Sequence, residues 1–193
     1  GSTPKRPPTI RDMMSHMSGF RGGASVTNRD IPLREVARRL AAQPLERQPG
    51  ETFAYGNAPV CTAAACLEIA VGKPYENYLE ERILSPLGMK DTTFWPNEDQ
   101  LRRLARAYNS DDMRIRPAAD ACAEQLRFPK AKRIYPAASG GLFSTPRDML
   151  RFSQMLAHHG EWKGARIISQ KVFDGIFAVK QTPDGIRAPY TCG

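Results

Sequence analysis

A chain of 193 residues fits one domain and is long enough to bury a real core. With 41% hydrophobic and 25% charged residues it reads as globular, and no apolar run is long enough to cross a membrane. The formal charge of +8 favours anionic partners, yet the cations are scattered over Arg38, Arg39, Arg102, Arg103, Arg106, Lys130, Lys132 and Arg133 without an RNA-recognition, zinc-finger or homeodomain pattern, so a solvated basic surface is favoured over nucleic-acid binding.

Gly1-Ser2 reads as the scar of a cleaved tag, residues 1–8 as scar plus linker, and residues 181–193 as a truncated tail. Four cysteines, Cys61, Cys66, Cys122 and Cys192, show no Cys-x-x-Cys spacing, which argues against a zinc site. Cys61 and Cys66 fall on one predicted helix, where five residues advance roughly 7.5 Å, too far for a disulfide. They read as small buried apolar groups.

In chain order, Thr9 to Gly19 predicts a short helix with Thr9 at the N-cap, Asp12 at N3 and Gly19 as the stop. Ile10, Met13, Met14 and Met17 form its core stripe, and His16 in the last turn suits an imidazolium at the negative end of the helix dipole rather than a catalytic group. Pro32 opens a second helix with Leu33, Val36, Ala37 and Leu40 inward.

Gln48 to Asn57 then carries a Pro-Gly turn, a short extended run Thr52-Phe53-Ala54-Tyr55, and Asn57 as the predicted cap of the apolar segment Ala58 to Val71, a helix expected to be buried. Such a loop-to-helix junction can hold the Tyr55 phenol and the Asn57 carboxamide side by side over a cleft. On these residues alone, the alternative is a Tyr and an Asn that shape a turn and cap a helix.

Gly72 stops that helix, and Pro74 starts another with Tyr75, Tyr78, Leu79 and Ile83 inward. Ser85 to Met89 is expected to turn sharply, and Asp91 to Phe94 to leave as an extended piece. Asn97 with Gln100 caps a helix that carries Arg102, Arg103 and Arg106 outward and closes near Tyr108. Asp111-Asp112 reads as a turn between two short strands, and Ala118 to Leu126 as a helical turn or two. Thr145, Pro146 and Asp148 mark N-cap, N1 and N3 of a helix with Met149, Phe152 and Leu156 inward, ending at Gly160. His158 and His159 point in different directions there and do not share a metal. Trp162 to Ile168 reads as a hairpin, and Ser169 caps a last helix through Phe173, Ile176 and Phe177.

Taken together, Thr9-Ile10-Arg11-Asp12-Met13-Met14-Ser15-His16-Met17-Ser18-Gly19, the Pro49-Gly50 to Asn57 stretch, Ile83 to Thr92 and Ser139 to Asp148 resemble the serine β-lactamase-like hydrolases. That superfamily comprises class C β-lactamases, serine D-alanyl-D-alanine carboxypeptidases and related esterases. The four patches follow its order and span the chain from about Thr9 to Ser169.

The resemblance implies a mainly α chain with a few short strands, the helical portion of the β-lactamase/transpeptidase-like fold with its large sheet mostly missing. It implies catalytic roles for two residues of the Tyr-x-Asn motif. Tyr55 would exchange protons with a serine hydroxyl and the leaving group, and Asn57 would hydrogen-bond substrate and a lysine. It implies no cofactor, a small-molecule substrate (a β-lactam, peptide or ester), and an exported or periplasmic parent. A Ser-x-x-Lys helix and a late Lys-Thr-Gly or His-x-Gly strand complete such a site. Ser2-Thr3-Pro4-Lys5 fits the first by letters only, because Pro4, Pro7 and Pro8 oppose a helix there. His158-His159-Gly160 closes a predicted helix instead of lying on a strand. The expectation is therefore the central part of a serine hydrolase, inactive as this chain, with self-association through the apolar face left by the sheet. The alternatives are a non-catalytic binding module on the same fold and a basic nucleic-acid binder.

Overall fold

The computed structural model describes residues 3–20, 31–105, 108–111, 114–117 and 136–178. The chain is mostly helical, as expected, and among the described residues its strands form two separate two-stranded antiparallel ribbons.

Helix α1, Ile10–Met14, begins with a full capping box: the Thr9 hydroxyl accepts from the Asp12 amide while the Asp12 carboxylate accepts from the Thr9 amide. It stops five residues earlier than Gly19. Ser15 caps it, His16 takes a left-handed backbone (φ 56°), and the Met17 amide bonds back to the Asp12 carbonyl at 2.7 Å. Met13 and Met17 are buried, but Ile10 is about half exposed, because one and a half turns present too short a face to bury the whole stripe. Gly19 still matters. Its φ is +81°, its carbonyl accepts the Glu46 and Arg47 amides, and a Cβ there would lie 2.2 Å from the Arg47 oxygen.

Helix α2, Leu33–Ala41, lies against helix α3, Asn57–Val71. Leu33 and Val36 of α2 pack into Cys61, Ala64 and Ala65 of α3, whose small side chains allow the close approach, and Leu40 packs on Ala58. Burial of α3 is confined to its first half: beyond Ala65 the helix emerges, and Ile69 is 65% exposed. The helix expected to be wholly buried is thus buried over the part that α1, α2, Ala137 and Ala138 cover.

After Gly72 (φ 67°), Pro74 leads into α4, Tyr75–Leu79, a π-helical turn Glu80–Leu84, and α5, Ser85–Leu87. The sharp turn expected from Ser85 onward is displaced to Gly88, because Pro86 falls in the first turn of α5, where its missing amide costs little. Helix α6, Glu98–Arg102, has the expected Asn97–Gln100 capping box but ends well short of Tyr108, which opens β1, Tyr108–Asp111. Strand β1 pairs antiparallel with β2, Arg114–Pro117. The expected helical turns at Ala118 to Leu126, and Cys122, Cys192 and Arg106, lie outside the described residues.

Helix α7, Pro146–Ala157, starts at the expected Thr145 cap. Its buried centre is Met155, flanked by Phe152 and Leu156, whereas Met149 points out to solvent. A helix with one covered side buries the i, i+3, i+4 set that meets its neighbour, and Leu84, Leu87 and Met89 select Met155 for that contact. Strands β3, Glu161–Trp162, and β4, Ala165–Arg166, make the expected hairpin, and Ser169 caps α8, Gln170–Phe177. Phe173 and Ile176 are half-buried there, while Phe177 is exposed.

Candidate functional site

The four patches named above join in hydrogen-bonded pairs. The segment after α1 holds the stretch before α3: Gly50 donates its amide to the Met17 carbonyl at 2.8 Å, Ala54 donates to the His16 carbonyl at 2.7 Å, and Gly56 donates to His16 Nδ1 at 3.3 Å. From the N-terminal side, Arg6 donates to both Asp12 carboxylate oxygens, and its Nη2 also donates to the Pro49 carbonyl at 3.0 Å.

The second pair is built on Asp148, which is buried at N3 of α7. It accepts the Asp91 amide at 2.8 Å and the Thr92 hydroxyl at 3.1 Å, while Thr92 also meets the Ser144 hydroxyl at 2.8 Å. Thr93 and Phe143 add a two-bond antiparallel bridge. The loop before α7 returns to α3, where the buried Cys61 thiol donates to the Ser139 hydroxyl at 3.5 Å and Ala137 and Ala138 pack on the α2–α3 core.

These contacts fix the backbone on either side of Tyr55 and leave its side chain outside. Tyr55 is 56% exposed and Asn57 is exposed. Asn57 is not the cap that its sequence position suggested. Gly56 occupies the N-cap with an extended backbone (φ −166°, ψ 141°), no side chain caps the helix, and Asn57 is its first helical residue. The carboxamide is thereby released from capping and stands in the first turn of α3, two residues after the exposed Tyr55.

His16 is the residue that sequence reasoning placed wrongly. It is buried, lies past the end of α1, and carries its ring 4.6 Å from the Tyr55 ring and 5.7 Å, edge-on, from Phe53. Burial pushes its pKa below the usual value, and Nδ1 accepts an amide proton, so the ring is neutral and serves no helix dipole. The available signal was local: Ser15, His16 and Ser18 are polar residues interleaved with buried methionines, and all three are buried.

Lys5, the lysine of Ser2-Thr3-Pro4-Lys5, lies in non-helical backbone. Its ammonium is exposed and paired with Glu51 at 3.2 Å. His158 caps the end of α7, and His159, left-handed at φ 53°, lies against Phe173 with the ring centroids 4.9 Å apart and the planes tilted by 43°. Among the described residues no cluster of three His, Cys, Asp or Glu side chains could hold a metal, and Cys61 and Cys66 are free thiols.

The profile of the Beta-lactamase family matches residues 1–191. The chain belongs to the beta-lactamase family. Within it, the chain is 35% identical over 156 residues to the D-alanyl-D-alanine-carboxypeptidase/endopeptidase AmpH of Escherichia coli strain K12, covering 77% of this chain and 36% of AmpH. It is 28% identical over 170 residues to Esterase EstB of Burkholderia gladioli, covering 74% of this chain and 43% of EstB. A beta-lactamase/D-alanine carboxypeptidase from Yersinia pestis superposes with a TM-score of 0.63 at 25% identity, over 91% of this chain and 46% of that one. EstCE1, a hydrolase with promiscuous acyltransferase activity, superposes with a TM-score of 0.73 at 21% identity, over 91% of this chain and 51% of that one, a likeness of fold. The chain spans less than half the length of the curated beta-lactamase-family relatives it matches.

Proposed function

We propose that these residues form the central part of a serine hydrolase that works through an acyl-enzyme on β-lactam, D-alanyl-D-alanine-type peptide or ester bonds, with Tyr55 as its proton-transfer group and Asn57 as a hydrogen-bonding group for substrate. The observation that carries this reading is the Tyr55-Gly56-Asn57 turn, whose backbone is tied down by His16 while both side chains remain open to solvent. A merely structural Tyr and Asn would be expected to bury the ring or spend the carboxamide on the helix cap. This Asn makes no cap bond.

The family's range of relatives, from a D-alanyl-D-alanine-carboxypeptidase/endopeptidase to an esterase, supports acyl transfer and leaves the substrate class as a proposal. The nucleophile and its lysine are proposed to come from parts of the parent protein other than Ser2-Thr3-Pro4-Lys5. Export to the periplasm or beyond is proposed on the same family grounds.

The test uses the whole protein that contains these residues. Incubated with a chromogenic cephalosporin, a p-nitrophenyl ester and a D-alanyl-D-alanine peptide, it is expected to turn over at least one. Tyr55→Phe is expected to lower kcat by about 10²- to 10⁴-fold, the usual range for one positioned acid–base group. Full activity in Tyr55→Phe would rule out the role given to that phenol. A folded parent that binds these substrates and turns over none would favour a non-catalytic binding module.

A further inference from the structure

The segment that follows α1 touches the Tyr-x-Asn turn with one unusual residue. His16 holds a left-handed backbone at φ 56°, a conformation uncommon for any residue but glycine and costing on the order of 1–3 kcal/mol for others. That conformation swings the imidazole away from α1 and toward residues 53–56. Three contacts follow: the carbonyl of His16 accepts the Ala54 amide, Nδ1 accepts the Gly56 amide, and the ring lies 4.6 Å from the Tyr55 ring at an angle of 36°. The residues before and after Tyr55 are thus both bonded to His16, and the tyrosine ring itself rests on it.

We propose that His16 is the positioning residue of the Tyr55-Gly56-Asn57 turn, anchoring the Gly56 amide through a neutral Nδ1 and seating the Tyr55 ring. The anchor stands on geometry alone, and its effect on rate rests on the reading of Tyr55 as the proton-transfer group. Gly56 is the N-cap of α3, so holding its amide also fixes where the helix begins, and therefore where Asn57 presents its carboxamide.

The anchor is sensitive to protonation. A proton on Nδ1 would turn the acceptor into a donor facing another donor and would release the turn. Tyr55 is in ring contact with His16, Asp12 on α1 is held by Arg6 and Thr9, and Glu51 is paired with Lys5. Burial lowers the His16 pKa, which keeps the anchor intact at neutral pH.

The experiment has one arm that needs no variant. In the 15N-labelled chain, the Gly56 amide resonance should shift with pH in step with the His16 ring, at a midpoint below roughly 6.5. Independent titration of the two overturns the anchor. Amide exchange then compares His16→Asn, which tolerates a left-handed backbone and places an acceptor oxygen near the position of Nδ1, with His16→Phe, which keeps a ring over Tyr55 and loses the acceptor. Gly56 exchange should accelerate roughly 2- to 10-fold in His16→Phe, the fold-change of one net hydrogen bond, and stay near the parent value in His16→Asn. Equal exchange in all three proteins overturns the proposal.

In the whole enzyme, His16→Phe should lower kcat roughly 10- to 100-fold with KM little changed, as for a displaced catalytic group, with partial rescue in His16→Asn. Added to Tyr55→Phe it should cause a smaller further loss than it causes alone, the remainder coming through Asn57. Losses that multiply show that His16 acts elsewhere and overturn its role as the seat of Tyr55. Should Tyr55→Phe alone retain full rate, the reading of Tyr55 fails while the Gly56 exchange result still decides the anchor.

Discussion

Arg6 grips Asp12 from outside the helix that Asp12 caps. Nη1 donates to Oδ2 at 2.6 Å and Nη2 to Oδ1 at 3.1 Å, and the same Nη2 reaches the Pro49 carbonyl of the turn that leads to Tyr55. One guanidinium therefore links the N-terminal segment, the start of α1 and the Pro49-Gly50 turn. Burial alone would push the Asp12 carboxyl up, but the bonds from Arg6 and Thr9 outweigh it and hold the group at about 2.

A folded-state pKa below the unfolded value near 3.8 makes this carboxylate stabilising above about pH 4, with that stabilisation lost as pH falls from about 4 toward about 2. The contribution is about 1–2 kcal/mol, discounted because the Arg6 side chain remains partly in water. Asp12→Asn should remove this part of the acid sensitivity. Urea unfolding at pH 6 and pH 3 should show the parent losing more stability between the two than Asp12→Asn does. Equal losses would falsify the assignment.

A second buried carboxylate holds the other pair of patches. Asp148 accepts from the Asp91 amide and the Thr92 hydroxyl and pairs with Arg151 at 3.0 Å, and Arg151 also donates to the Gly88 carbonyl. Replacing Asp148 with Ala leaves the half-buried Asp91 amide without its acceptor, takes one of two partners from the buried Thr92 hydroxyl and removes the carboxylate from Arg151. The expected cost is about 2–4 kcal/mol. It should appear as a lower urea midpoint at unchanged m, and a loss below about 0.5 kcal/mol would mean that water replaces the carboxylate without penalty.

Local chemistry made much of this fold legible. The capping boxes at Thr9 and Asp12 and at Asn97 and Gln100, and the caps at Thr145 and Ser169, lie where their spacing predicts, because a cap is decided within four residues. What failed depends on distant neighbours. Whether Met149 or Met155 is buried is decided by Leu84, Leu87 and Met89, and the end of α1 is decided by what His16 does with Gly56, 40 residues away. Asn57 was misplaced by one position because Gly56, with no side chain to announce a cap, takes the capping conformation by backbone alone. The Tyr-Gly-Asn letters identified the candidate site, and the bond from Gly56 to the histidine beneath it was visible only in three dimensions.

Apolar surface remains open beside α1 and the emerging half of α3. Ile10 and Ile69 are 48% and 65% exposed, and Ile10, Met14, Val60 and Leu67 line a groove between the two helices. Such a surface on this chain is expected to be covered by self-association. Sedimentation velocity should show a concentration-dependent increase in mass, reduced by Ile69→Glu together with Val60→Glu. A monomer at every concentration, without binding of a hydrophobic dye, would count against it.

The 193-residue chain by itself is expected to hydrolyse nothing. Covalent acyl transfer needs a nucleophile, a base and oxyanion donors held together. The Tyr55-Asn57 pair supplies part of that set, and Lys5, the lysine of the one Ser-x-x-Lys match at the N-terminus, is exposed in non-helical backbone and occupied by Glu51. On a helix, a serine and a lysine three residues apart face the same side, and the backbone at Lys5 does not provide that geometry. One positioned acid–base group is worth about 10²- to 10⁴-fold at most, well short of a working enzyme. The purified chain should leave a chromogenic cephalosporin and a p-nitrophenyl ester intact and take up no serine-directed fluorophosphonate probe. Probe labelling of any serine, or turnover that disappears in Ser2→Ala, would place a nucleophile within these residues. Turnover by the whole protein that is lost in Tyr55→Phe and absent from this chain is the pattern that a divided active site requires.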